Sequence, residues 1–162
     1  MVLLTGATGF TGQRLLPRLL QRAEPVRVFV RPTSDRSTLD EGKVDVVVGD
    51  LCDSKAVRSA MDGVQRVVHL AHIRFAPQLL QEISRAFEHM VALSSLRLMS
   101  TVSSSSVGEV AQAEQEVRRC QVPCTILRPS MIFGANDRSI SRMAIQLRRF
   151  RWVPVFGDGR AL

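Results

Sequence analysis

The sequence predicts an α/β fold, a doubly wound parallel sheet in a three-layer αβα arrangement, on two observations. Short apolar runs alternate with helical patterns along the chain, and a glycine loop at Gly6, Gly9 and Gly12 joins the first run to the first helix. The candidate strands are Val2–Thr5, Val26–Val30, Val44–Val48, Arg66–Ala71, Leu96–Val102 and Cys124–Leu127. They are compact and largely apolar, as strands covered on both faces must be. Helical spacing marks Thr11–Arg22, Ser54–Met61, Pro77–Leu93, Val107–Arg119 and Ile140–Arg149. Pro17 is at odds with the first of these, because it lacks the N–H of an interior turn; the pattern predicts a helix all the same. Strand–helix–strand repetition calls for right-handed crossovers and hence parallel strands. A ligand then belongs at the carboxyl ends of the strands, where their order reverses.

Composition sets the class. With 162 residues, 45% of them hydrophobic, the chain reads as one domain, 1–162, with a sizeable core. No apolar run approaches the roughly 20 residues that span a bilayer, so no membrane partner is expected. The opening Met-Val-Leu-Leu-Thr runs straight into the glycine loop and leaves no room for a signal peptide. Cys52, Cys120 and Cys124 form no Cys-x-x-Cys pair and fit reduced thiols, so the expected location is cytoplasmic. Cys120 and Cys124 read as small apolar filler beside a strand. The net charge is +7, and all but two of the 22 cationic residues are arginine. Apart from a cluster at Arg148, Arg149 and Arg151 they are dispersed, which suits a basic surface or an anionic ligand better than nucleic acid.

The loop reads Gly6-Ala-Thr-Gly9-Phe-Thr-Gly12, a G-x-x-G-x-x-G spacing rather than the commoner G-x-G-x-x-G. The physics is shared. Gly6 lets the chain turn sharply out of the strand, Gly9 removes a side chain where a pyrophosphate approaches, and Gly12 lets the helix pack close. The helix then presents N–H groups and the positive end of its dipole to phosphate.

These residues, with "GDLCD" at 49–53, "VVHLA" at 67–71, "TILRPSMIFG" at 125–134 and "VFGDG" at 155–159, resemble the short-chain dehydrogenase/reductase superfamily. The likeness is to its extended and atypical members, the NAD-dependent epimerase/dehydratase family and the NmrA-like proteins. It implies a Rossmann-type fold that binds a dinucleotide cofactor. Thr8, Gly9, Phe10 and Thr11 would contact the pyrophosphate, and Asp50 and Leu51 the adenine. Leu70 and Ala71 would lie near the ribose and nicotinamide, with Pro129, Ser130 and Met131 bordering the nicotinamide. Asp50 has a second reading, as the cap of the helix that begins near Ser54.

The end of the second strand selects the cofactor. A carboxylate there would bind the ribose 2′-hydroxyl and repel a 2′-phosphate. This chain has Arg31, with Ser34 and Arg36 as helpers, and an arginine fork suits a phosphate dianion. NADP(H) is therefore expected over NAD(H), with Asp35 as the counter-evidence.

Classical members of the superfamily use a tyrosine and a lysine four residues later, the ammonium lowering the phenol's pKa. This chain has no tyrosine, and its lysines, Lys43 and Lys55, lie far upstream. The pair would fall near Ser106 and Val110. Ser100 and Thr101 match the family's strand-end serines. His69 and His72 are the remaining candidate acids, with a structural role expected for His69. As a metal pair they lack further ligands in register, so no metal is expected. Glu109, Glu114 and Glu116 read as an exposed helix face. The family's relatives continue beyond "VFGDG" into a substrate-binding lobe, so the small-molecule substrate is not legible beyond a variable loop at Ile73–Gln78. The aromatic segment with Phe150, Trp152 and Phe156 is the expected surface for a second copy or a partner subunit.

Overall fold

A computed structural model describes residues 1–96, 105–135, 137 and 140–152. Its contacts divide the chain into two units, Met1–Ser130 and Met131–Leu162. In the first unit the strands are β1 (Val2–Thr5), β2 (Val26–Val30), β3 (Asp45–Val48), β4 (Arg66–His69), β5 (His89–Leu93) and β6 (Cys124–Leu127). The helices are α1 (Gly12–Leu20), α2 (Ser54–Met61), α3 (Ala76–Gln81) and α4 (Ser105–Arg119), with a 3₁₀ turn at Ile73–Phe75. The second unit contributes α5 (Ile140–Phe150).

All six strands are parallel, in the order β3-β2-β1-β4-β5-β6. That is the doubly wound arrangement the sequence predicts. Central β1 is buried along its whole length, and Leu4 lies opposite Val28 on one side and Val68 on the other. Successive residues point to opposite faces. Leu3 accordingly joins a core with Phe29, Val57, Val67, Leu79 and Met90, while Leu4 joins a second with Leu16, Val28 and Val30. Burying a leucine or valine fully contributes about 1.5–3 kcal/mol. Cys120 and Cys124 pack against the first core, as apolar filler does. Pro17 stays inside α1, which runs on to Leu20.

One stretch departs from the expectation. The helix predicted over Pro77–Leu93 ends at Gln81, and His89–Leu93 is β5. The apolar spacing of Leu79, Leu80, Ile83 and Phe87 mimics a helix, but pairing on both sides decides the outcome. Val91 lies opposite Val68 of β4 and Thr125 of β6, so the run completes the sheet. The strand expected at Leu96–Val102 falls, beyond Leu96, on residues 97–104, which with Ser100 and Thr101 lie outside the described residues. The serines that follow β5 are Ser94 and Ser95. Ile73–Gln78 is likewise no variable loop; it forms the 3₁₀ turn and the start of α3.

Glu114 is a second correction. Its side chain is buried, 3% exposed, rather than part of a solvated face. Arg128, just past β6, donates from Nε to both carboxylate oxygens at 3.0 and 3.1 Å and from an Nη to one of them. Ser94 Oγ donates to Oε1 at 2.5 Å, and Arg118 adds an ion pair. The Arg128 hydrogen bonds, against the opposing effect of burial, hold the Glu114 carboxyl below the usual glutamate range. Glu114 therefore ties α4 to the ends of β5 and β6. Arg128→Met should leave that carboxylate buried without its main partner and lower the thermal midpoint by at least about 5 °C. Adding Glu114→Met should recover much of the loss, which a melting series followed by circular dichroism would check.

Candidate functional site

Because every strand is parallel, the segments after them share one edge of the sheet. That edge carries 6–12, Arg31–Arg36, Gly49–Asp53, Leu70–Ala71, Ser94–Ser95 and Arg128–Ser130. The order reverses between neighbours β1 and β4, and the glycine loop sits there.

Gly6 has φ +70°, a left-handed conformation that favours glycine. A Cβ on it would lie 2.8 Å from both the Leu70 carbonyl carbon and the Ala71 nitrogen. Gly12 is tighter, since its Cβ would lie 2.2 Å from the Gly6 oxygen. The loop is closed by Gly9 N–H donating to the Gly6 oxygen at 3.0 Å, and Gln13 N–H donates to the Gly9 oxygen at 2.9 Å. Leu15 N–H is bonded to Thr11. The N–H groups of residues 10–12 have no protein acceptor among the described residues.

The first turn of α1 carries no acid. Arg14 lies there instead, its guanidinium 3.7 Å from the Phe10 ring centroid and donating to the Phe10 oxygen at 2.7 Å. A helix start with free N–H groups, a neighbouring arginine and no carboxylate is suited to an anion. The fit to a pyrophosphate rests on this cradle.

Beneath the loop lies a hydrogen-bond chain that the sequence signalled only in part. His69, fully buried, donates from Nε2 to the His72 oxygen at 3.0 Å, which leaves Nδ1 to accept from Thr5 Oγ1 at 2.8 Å. Thr5 Oγ1 in turn accepts from Ala71 N–H at 3.4 Å. Burial is the main cause that pushes the His69 pKa down to about 4. His69 is thus a neutral tether between the ends of β1 and β4. His72 caps the 3₁₀ turn, its Nδ1 accepting from Arg74 N–H. Among the described residues no cluster of metal ligands occurs.

After β2, Arg31 is exposed and lies in a turn closed by Ser34 N–H donating to its oxygen at 3.0 Å. Among the described residues it has no carboxylate partner. Asp35 turns back on its own loop and accepts from Ser37 N–H at 2.9 Å, a bond that lowers its pKa. Arg36 pairs with Glu41 at 3.4 Å. After β3, Asp50 accepts from Cys52 N–H at 2.8 Å, and Leu51 is buried. The cap of α2 is Asp53, which accepts from Lys55 N–H, so the capping reading of Asp50 is set aside. Pro129 accepts from Leu96 N–H at 3.1 Å. Ser130 is exposed, and Met131, 64% exposed, opens the second unit.

The expected position of the catalytic pair falls on α4. Val110 packs against the first core, and the side chain of Ser106 lies outside the described residues. Glu109 is exposed and pairs with Arg74. Sequence reasoning missed Thr5, the Phe10–Arg14 stack and the Glu114–Arg128 tie. Only the last had a sequence signal, an acid beside Ala113 and Val117 on the core-facing side of a helix.

A family model described as NAD(P)H-binding matches residues 6–146. The chain belongs to this NAD(P)H-binding family. Among relatives, it is 46% identical over 69 residues to sterol demethylase protein B of Methylococcus capsulatus, 43% of this chain and 21% of that one. It is 28% identical over 151 residues to ceramide reductase of Caulobacter vibrioides, 85% of this chain and 48% of that one. The enzyme WbmG of Bordetella bronchiseptica, solved in complex with NAD, has the same fold with a TM-score of 0.78 at 17% identity, over 91% of this chain and 59% of that one. The chain spans about half or less of the length of these curated relatives. Among the described residues, no helix is long and apolar enough to cross a membrane.

Two outcomes follow from the geometry. Gly12→Ala should cost about 2–4 kcal/mol of stability and weaken dinucleotide binding at least tenfold, measured by melting and by titration calorimetry. The lowered His69 pKa means that the unfolded chain takes up the proton first as pH falls. Stability is then full above about pH 6.5 and declines below it, by about 2 kcal/mol at pH 5. His69→Asn should flatten that part of the profile in melts at pH 7.5 and 5.

Proposed function

We propose that this chain binds NADP(H) across the β1–β4 switch point and serves as the coenzyme-holding domain of a reductase. Membership of an NAD(P)H-binding family supports the dinucleotide. The observation that carries the choice of NADP(H) is the loop after β2, where Arg31 is exposed while Asp35 is engaged with Ser37. A guanidinium without a carboxylate partner among the described residues matches a 2′-phosphate in charge and fork geometry, and Ser34 and Arg36 flank it. Residues 8–12 would hold the pyrophosphate, Asp50 and Leu51 the adenine, and Leu70, Ala71, Pro129 and Ser130 the nicotinamide end. The bound coenzyme supplies a hydride from its nicotinamide; the chain's own part is to grip the phosphates and orient the ring. The name of one relative, ceramide reductase, supports a reductive role toward a small-molecule substrate.

A second reading, a coenzyme-sensing module that does not turn over, is favoured by the missing tyrosine and lysine at 106 and 110. The two readings separate on whether NADPH absorbance is lost with a panel of carbonyl compounds.

NADPH should raise the thermal midpoint well above NADH at equal concentration. Arg31→Ala should lower NADPH affinity about tenfold or more and leave NADH affinity near its original value. Equal affinity for the two coenzymes in the unsubstituted chain would overturn the assignment.

A further inference from the structure

Helix α5 carries an amphipathic pattern, and none of its faces is buried. At 100° per residue, Ile140, Met143, Ala144, Leu147 and Phe150 fall on one stripe. Arg142, Arg148 and Arg149 fall outside it, with the exposed Ile145 among them, and Arg151 follows the last turn. None of the helix's residues is buried, with Met143 44%, Leu147 48% and Phe150 53% exposed. The helix is nonetheless a built element. Asp137 accepts at its start from Ile140 N–H at 2.6 Å and from Ser141 N–H at 3.2 Å. At its other end Phe150 and Trp152 lie with ring centroids 6.3 Å apart, and the Arg149 guanidinium stands 5.4 Å from the Phe150 ring. Trp152 is 62% exposed.

We propose that α5 with Trp152 is a docking element for an anionic lipid surface, lying in the plane of the interface. Charge selects this occupant. Residues 140–152 hold four arginines and no acid, in a chain of net charge +7, so a second copy would bring like charge to the same face. Nucleic acid would answer the arginines but has no use for an exposed stripe of methionine, leucine and phenylalanine. An anionic bilayer answers both: its headgroups meet the guanidinium groups while the stripe enters the acyl boundary. Tryptophan at the end of such a helix settles at headgroup level, since its ring is amphipathic. The helix is about 16 Å long, so it lies on the surface and spans nothing.

Trp152 is the chain's single tryptophan, so its emission reports on this site alone. The full chain is titrated with phosphatidylcholine vesicles and with vesicles containing about one third phosphatidylglycerol. A blue shift and co-sedimentation with the anionic vesicles are expected, at least tenfold stronger than with neutral ones and weakened by salt. The combined substitutions Arg142→Gln, Arg148→Gln and Arg149→Gln should reduce this binding about tenfold or more, with circular dichroism confirming the fold. Were that variant to misfold, Leu147→Gln, which leaves the charges in place, should still reduce the blue shift. No shift with anionic vesicles, equal binding to neutral ones, or unchanged binding by a folded arginine variant would overturn the proposal. So would a shift that grows with protein concentration without lipid, which would assign the face to a second copy, or a stronger shift with duplex DNA.

Discussion

The contact on which the candidate site depends is backbone against backbone, where the turn out of β1 presses on the exit of β4. At Gly6 the chain bends with φ +70° and lies so close to Leu70 and Ala71 that no side chain fits between them. Gly12 repeats the constraint one step on, against the Gly6 oxygen. Together they fix the start of α1 over the point where the sheet order reverses. The buried chain through Thr5, His69 and His72 works toward the same end with polar atoms. A neutral histidine with both ring nitrogens satisfied is stable in an apolar interior, whereas a charged one is not. Geometry and protonation state are therefore coupled: the tether that aligns the two strand ends requires an uncharged ring.

Charge is distributed around this frame in a way that suits a ligand with several phosphates. The α1 start has Arg14 and no acid, and the β2 exit presents Arg31 with no carboxylate partner among the described residues. The acids nearby, Asp35, Asp50 and Asp53, each accept a backbone N–H two residues ahead. Such local bonds are typical of aspartate in turns, and they shape the loops in which those acids lie. Arginine is left as the side chain available to an anion at the β2 exit.

Much of this was legible in the sequence, because glycine and strand patterns are local. Five of the six strands lie where apolar runs put them, and the glycine loop joins β1 to α1 as its spacing requires. The misreadings of β5 and of Glu114 have a common cause, since both are decided by partners from other elements. Residues 89–93 read as the end of a helix until β4 and β6 are placed on either side. Glu114 reads as a surface acid until Arg128 arrives from the end of β6, and His69 acquires its fixed tautomer only when β1 brings Thr5 beside it. Neither neighbour is close in sequence.

The missing tyrosine and lysine then take on structural content. The position four residues after the expected phenol is Val110, which packs on the first core. A lysine there would have to carry its charge out of apolar surroundings or lose its proton. The same helix instead commits its buried acid, Glu114, to Ser94 and Arg128. At Val110 and Glu114 the helix serves packing and the tie to β5 and β6. On the function proposed above, the part of the family pattern in use is the phosphate-gripping half at the ends of β1 and β2, which needs backbone N–H groups and an arginine rather than a titrating side chain.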